Sequence, residues 1–358
     1  MKRTKILATW GPAVTSARRL NQLISSGVNA FRINCSHGEP GEWKRAAAAI
    51  RKTAARARYP VGLLFDISGP KLRVDHFDGT VDITRDSTIT LTNGRTDLES
   101  RVISVNHPQI IKSVKKGQRL FVDDGNIQFK IKSANGRQVV CRAINSGKLM
   151  PGKGINLPDT DIDLPTITKK DRQDIKTAVA CDADFIALSF VRSGDDIVKA
   201  RRLIKRYGGR QAVFAKLEKR EAVADLEGIM KLADGVMIAR GDLGVELPPA
   251  ELPNLQKRII RMANCHHKPV IVATQMLESM RFSPRATRAE INDVASAVYD
   301  YADAVMLSAE TATGKYPVET VKTMSDVILA AESHCPANRV DLEKHLIGSP
   351  IPYAVAMS

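Results

Sequence analysis

Lys216 and Glu218 flank a single leucine at the end of one apolar run, and Asp242 follows the next such run. In an extended chain, residues two apart point the same way, so this ammonium and this carboxylate share one side. Two carboxylates with room for water and substrate oxygens suit magnesium, which keeps several non-protein ligands. A solvated Lys–Glu–Asp surface cluster would use the same residue types, and such groups are common. The frame Gly241-Asp242-Leu243-Gly244 favours a site. Glycine before the acid lets backbone N–H groups approach an anion closely, as carboxylate or phosphate recognition requires. Other apolar runs end in polar residues too, at Thr9, at Asn34 with Ser36 and His37, at Asp66, Ser189, Arg240 and Thr274, and at Ser308 with Glu310. Alone, any of these reads as a helix cap or a loop contact with solvent. A whole succession of polar ends on one rim asks for a binding site.

Positioning these ends takes eight short apolar, β-branched runs, at 5–8, 30–34, 61–66, 184–189, 212–216, 235–239, 269–273 and 304–307. Between most of them lie amphipathic stretches at 17–26, 43–57, 169–180, 195–207, 252–266 and 288–301, long enough to cross back over a sheet. Alternation of this kind implies a parallel α/β sheet, and eight parallel strands imply a closed (β/α)8 or TIM barrel, with catalytic groups at the C-terminal strand ends. From 71 to 163 the helical period disappears. Short runs at 81–84, 88–92, 119–122, 128–132 and 138–143 are separated by Asn93-Gly94, Asp124-Gly125 and Asn135-Gly136, the turn chemistry of hairpins. A small all-β domain inserted after the third strand is expected, placed where it could act as a lid. The expected division is 1–70 for the first part of the barrel, 71–163 for the inserted lid, 164–335 for the rest of the barrel and 336–358 for a tail.

Composition narrows the class of function. The 358 residues are 43% hydrophobic, enough for one large core and a smaller module. Cys35, Cys141, Cys181, Cys265 and Cys335 form no C-x-x-C pair, so no disulfide framework or thiolate metal site is indicated, and a reducing cytoplasm is expected. No early apolar segment and no uncharged apolar run of membrane-spanning length occurs, so no membrane partner is expected. The net charge of +15 is spread over Ala-rich helical patterns such as 44–58 and 199–210. Without an RNA-recognition, zinc-finger or basic-zipper signature it reads as a diffuse basic surface, and nucleic acid is not expected as a partner.

Several segments together resemble the pyruvate kinase family: RINCSHG at 32–38, DISGPKLR at 66–73, VDDG at 122–125, GKGINLP at 152–158, AKLEKREAV at 215–223, MIARGDLGVELP at 237–248, ATQMLESM at 273–280, and TRAEINDVASAV with MLSAETATGKYP within 287–317. The resemblance runs in order along the chain to about residue 332. It implies a phosphotransferase that uses phosphoenolpyruvate and ADP to make pyruvate and ATP, with the insertion as a mobile lid. It implies that Glu218 and Asp242 hold Mg2+ or Mn2+, that Lys216 and Arg32 sit at the transferring phosphoryl group, and that the Gly241 and Asp242 amides bind the substrate carboxylate. Thr274 would help place the proton on the enolate carbon, and Ser189 is among the substrate-binding positions. Asn34, His37, Arg73 and Lys153 are the positions that touch nucleotide.

Two departures from the family modify these expectations. Relatives continue into a separate C-terminal domain, whose first helix the segment 349–358 resembles. A sugar-phosphate effector site on that domain is therefore not expected here, and assembly is expected to stop at a homodimer through a barrel face. The second departure lies in DISGPKLR. Many relatives carry Thr and Glu where this chain has Ile67 and Lys71, and the family's potassium site uses the positions of Asn34, Ser36, Asp66 and Ile67. Lys71 is expected to replace that ion, so K+ should not be required.

Overall fold

The computed structural model describes residues 2–162 and 164–335, so the expected tail at 336–358 and residue 163 at the expected module border lie outside the described residues. Eight strands close into one parallel barrel in the order β1 (Lys5–Thr9), β16 (Ala304–Leu307), β15 (Val270–Ala273), β14 (Gly235–Ala239), β13 (Ala212–Leu217), β12 (Phe185–Leu188), β3 (Gly62–Ile67) and β2 (Ala30–Asn34). The strands read as near-continuous apolar runs because both faces are covered: β14 is buried at every position, and β3 and β13 at all but the first. Helices alternate with them, among them Lys169–Ala180 and Arg288–Tyr299, each begun by a capping box, Thr168 with Asp171 and Thr287 with Glu290. Among the described residues no helix is long and apolar enough to cross a membrane.

The chain divides into two compact units. The first comprises the start of the chain through Phe31, Ile50–Val61 and the chain from Pro269 on; the second comprises Arg32–Ala49 and Gly62–Lys268. In both, the N-terminal strand ends repeat one device. In the first, Asn29 Oδ1 accepts from the Ile6 amide at 2.9 Å and Asp303 Oδ2 from Val270 at 2.9 Å. In the second, Asp184 Oδ2 accepts from Leu63 at 2.7 Å and Asp234 Oδ2 from Val213 at 2.7 Å. Each polar residue just before a strand thus satisfies an amide of another strand that the ladder leaves open. This is why β12 starts one residue later than expected: Asp184 is a linker and not a strand residue.

Within the second unit, the chain between β3 and β12 builds β4 (Val81–Ile83), β5 (Thr88–Thr92), β6 (Val102–Ser104), β7 (Arg119–Val122), β8 (Ile127–Ala134), β9 (Gln138–Ala143), β10 (Gly147–Leu149) and β11 (Ile155–Asn156). Six of these form a sheet in the order β11-β7-β8-β9-β5-β6, and β10 pairs with β4. They enclose a cluster of their own that includes Leu91, Leu120, Phe129, Val139 and Leu149. Two features differ from expectation. A short helix, Pro108–Ser113, buries Ile110 and Ile111, and six residues are too few to display a helical period. Asn93-Gly94 turns no hairpin, because β5 runs parallel to β6; the Gly94 amide instead bonds Thr92 Oγ1 at 3.1 Å. Asn135-Gly136 does join the antiparallel β8 and β9, with Gly136 at φ 78°.

Candidate active site

The strand ends of the second unit gather four of the expected residues, Arg32, Lys216, Ser189 and Glu218, about the carboxylate of Asp66. Asp66, next to last in β3 and 1% exposed, receives Arg32 Nε at 2.7 Å on Oδ2 and Lys216 Nζ at 3.1 Å on Oδ1. Lys216 Nζ also donates to Ser189 Oγ at 2.7 Å and contacts Glu218 Oε1 at 2.8 Å. Ser189 Oγ in turn donates to Asp66 Oδ1 at 3.3 Å. Glu218 Oε2 accepts from the Phe190 amide at 2.8 Å. The expected same-side geometry of Lys216 and Glu218 therefore holds. The approach of the two loops depends on Gly69, at φ 66°: a Cβ there would stand 2.8 Å from Phe190 Cδ2 and 3.2 Å from the Ser189 carbonyl.

Burial and charge act against each other in this cluster. Burial alone would depress the Lys216 ammonium, but Asp66 and Glu218 outweigh it and raise its pKa above the usual lysine range. Burial would raise Asp66, yet Lys216 and Arg32 hold it below the usual carboxylate range. Glu218 goes the other way. Its burial, reinforced by the charge of Asp242, exceeds the pull of Lys216 and raises it. The Lys216 charge is shared between two acids, so Asp66 is the firm anion and Glu218 the strained one.

Asp242 lies in the short helix Arg240–Glu246 that follows β14, with Gly241 just before it. Its Oδ1 is 3.5 Å from Lys71 Nζ. Lys71 thus points at Asp242, while both Asp66 oxygens are engaged by Arg32 and Lys216. The remaining residues of the expected potassium set make local contacts: Asn34 Oδ1 accepts from the Ser36 amide at 3.1 Å, Ser36 Oγ lies 3.1 Å from Ser68 Oγ, and Ile67 is a buried end of β3. His37 is pushed below the usual histidine range by burial and by the cations Arg73, Arg32 and Lys71. Arg73 Nη1 donates to the Gly152 carbonyl at 2.9 Å, and Lys153 Nζ pairs with Asp123 Oδ1 at 2.7 Å. The expected nucleotide positions are therefore split between the β2 loop and the inserted module, where Lys153 is engaged by Asp123.

Thr274 belongs to the first unit, directly after β15. It adopts φ 73° and Gln275 φ 53°, a left-handed pair that is unusual for any side chain and most of all for a β-branched one. Fully buried Glu310 secures this turn, accepting from the Leu277 amide at 3.3 Å and the Ser308 amide at 2.6 Å. Two further polar strand ends make contacts within the scaffold. Thr9 Oγ1 ties β1 to the Leu307 carbonyl at 2.8 Å, and Arg240 reaches Gln256 Oε1 at 3.4 Å.

The sequence marks Asp66 as a polar strand end and as part of a potassium set, but not as the carboxylate shared by Arg32 and Lys216. Its signal was available in part, because a carboxylate ending an apolar strand with no helix start behind it has no capping task.

Among the described residues no group of three or more His, Cys, Asp or Glu side chains could enclose a metal. Glu218 and Asp242 are instead two like charges, close enough that one raises the pKa of the other. A cation placed between them relieves that repulsion, so this pair fits a magnesium-type ion that takes its other ligands from water and substrate. The family model described as "Pyruvate kinase, barrel domain" matches residues 1–321. The chain is 42% identical over 336 residues to a pyruvate kinase of Staphylococcus aureus (strain MRSA252), covering 93% of this chain and 57% of that protein. It is also 42% identical over 338 residues to a pyruvate kinase of Staphylococcus saprophyticus, covering 93% of this chain and 58% of that one. The chain thus spans under three fifths of the length of these curated relatives. Since the matched region takes in every strand of the barrel and the whole buried cluster at its strand ends, the chain belongs to the pyruvate kinase family.

Proposed function

We propose that this protein transfers the phosphoryl group of phosphoenolpyruvate to ADP, giving pyruvate and ATP. The buried Lys216, held between Asp66, Ser189 and Glu218 beside Arg32, carries this reading. Phosphoryl transfer asks little covalent work of a protein and much positioning and neutralisation of charge on the equatorial oxygens. Lys216 supplies a desolvated, permanently protonated ammonium for those oxygens. Arg32, oriented by its contact with Asp66, supplies a second cation. Glu218 and Asp242 would hold Mg2+ or Mn2+, whose charge neutralises substrate oxygens when bound. The Gly241 and Asp242 amides receive the substrate carboxylate, and Ser189 fixes the Lys216 head. Thr274, held in its left-handed turn, places the proton that converts enolpyruvate to pyruvate.

Asn34, His37, Arg73 and Lys153 take the nucleotide, with the inserted β module as a lid that excludes water during transfer. A neutral imidazole at His37 suits a nucleotide contact among so many cations. Lys71 brings a fixed positive charge to the same region, since it is one of the cations felt by His37. On that basis the reaction needs no K+, because a second cation beside an ammonium would be repelled.

The test is a coupled assay of the purified chain with phosphoenolpyruvate, ADP and magnesium, with and without potassium. ADP-dependent pyruvate formation is expected in both buffers. Phosphoenolpyruvate binding with no ADP-dependent turnover would overturn the reading.

A further inference from the structure

Lys71 stands where the chain leaves β3 for the inserted module, and the module holds it at two places. Its carbonyl accepts from Asn106 Nδ2 at 3.0 Å. Its stem passes Gly154, on the returning crossing, so closely that a Cβ there would lie 3.1 Å from Lys71 Cε. Its ammonium is 3.5 Å from Asp242 Oδ1, with the two side chains 29% and 21% exposed. Three cations here, Arg32, Lys216 and Lys71, are matched by three carboxylates, Asp66, Glu218 and Asp242, while Arg73 faces the same region and Arg192, Lys219 and Glu221 line it. A divalent ion entering alone would add two positive charges to a half-buried place already rich in cations, which is unfavourable. The same ion entering with a substrate that carries a carboxylate and a phosphate would not.

We propose that Lys71 is a positioning residue that makes divalent-ion binding conditional on the anionic substrate. By competing for Asp242 it weakens the ion's hold on the free protein, and the substrate's negative charge removes that penalty. Gly154 bears on the effect, because a side chain there would crowd the lysine stem on its way to Asp242. This rests on the functional reading above in taking Glu218 and Asp242 as the ion's ligands and phosphoenolpyruvate as the anionic substrate.

The experiment measures Mn2+ binding to the full chain by the electron paramagnetic resonance signal of free Mn2+, with and without phosphoenolpyruvate and without ADP. Wild type should bind Mn2+ weakly alone and more tightly with phosphoenolpyruvate. Lys71→Met should bind Mn2+ alone about tenfold more tightly, a value below the bare attraction because the pair is partly exposed. Because Mn2+ affinity in the phosphoenolpyruvate complex should stay as in wild type, the tightening by phosphoenolpyruvate should shrink by the same factor. Lys71→Arg, which keeps the charge, should behave as wild type. Gly154→Ala, which displaces the stem and keeps the charge, should shift Mn2+ affinity in the direction of Lys71→Met. Mn2+ affinity that stays within about twofold of wild type in Lys71→Met, while phosphoenolpyruvate still tightens binding, would overturn the inference and leave the metal assignment standing. If Asp242→Asn binds Mn2+ as wild type does, the metal assignment itself fails, and the inference with it.

Discussion

Asp66→Asn keeps the shape of the side chain and removes the one charge shared by Arg32 and Lys216. Those cations lie 2.7 Å and 3.1 Å from its oxygens, and the carboxylate is 1% exposed. At an effective dielectric near 20 each contact represents an attraction of about 5 to 6 kcal/mol, most of it offset by the desolvation of the partners. Breaking such a buried arrangement from one side typically costs about 3 to 5 kcal/mol. In a chain of this size, at roughly 2 °C per kcal/mol, the melting temperature should fall by about 6 to 10 °C. Turnover should fall about 100-fold or more, or about 2.7 kcal/mol in the barrier, because Lys216 is left to Glu218 and Ser189 and Arg32 loses its orienting contact. Since Asp66 is held below its ordinary pKa of 3.8, its contribution to stability is present above that pH and is lost as pH falls through the folded-state value. The gap in melting temperature between wild type and variant should therefore narrow below pH 3.8. Calorimetry across pH, together with the coupled assay at neutral pH, measures both effects. A variant that melts within about 1 kcal/mol of wild type and keeps more than about a third of its turnover would refute the view of Asp66 as the hub of this site.

Lys216→Met is expected to leave phosphoenolpyruvate binding largely intact and to lower turnover by several orders of magnitude; turnover above about a tenth of wild type would rule out the role given to this ammonium, that loss being only about 1.4 kcal/mol. Wild type should be fully active in potassium-free buffer, and Lys71→Glu should lose activity until potassium is added; a wild type nearly inactive without potassium contradicts the assignment of Lys71. The His37 ring, followed by NMR, should titrate below 6.5, since burial and then Arg73, Arg32 and Lys71 all disfavour its charged form, and Arg73→Gln should move the midpoint upward. A midpoint above 6.5 in wild type would show that these cations do not converge on it. At the opposite end of the strands, Asp184→Ala leaves the Leu63 amide without its acceptor and should cost about 1 to 3 kcal/mol of stability while kcat stays unchanged, as separate denaturation and activity measurements would show.

Much of this protein is written in local pattern. Strands buried on both faces must be apolar at nearly every position, and helices that cross over them must carry an apolar stripe. Hence the barrel was legible, and β2, β14 and β16 run over the residues that their apolar runs marked. The side shared by Lys216 and Glu218 was legible for the same reason, since it follows from the pleat of a single strand. What stayed hidden depends on partners that are far apart in the chain. Asp66 meets Arg32 from 34 residues away, and Lys71 meets Asp242 from 171 residues away. No period or propensity encodes such meetings, because only closure of the sheet brings those strand ends together. The same holds for β6, β10 and β11, strands of two or three residues that are too short to show alternation and exist because a neighbour supplies their hydrogen bonds. Composition and spacing thus determined the barrel, the insertion and which residue types line the rim. Tertiary structure decided which carboxylate anchors the cations and which one Lys71 faces, because electrostatic partnership is set by distance in space and by burial.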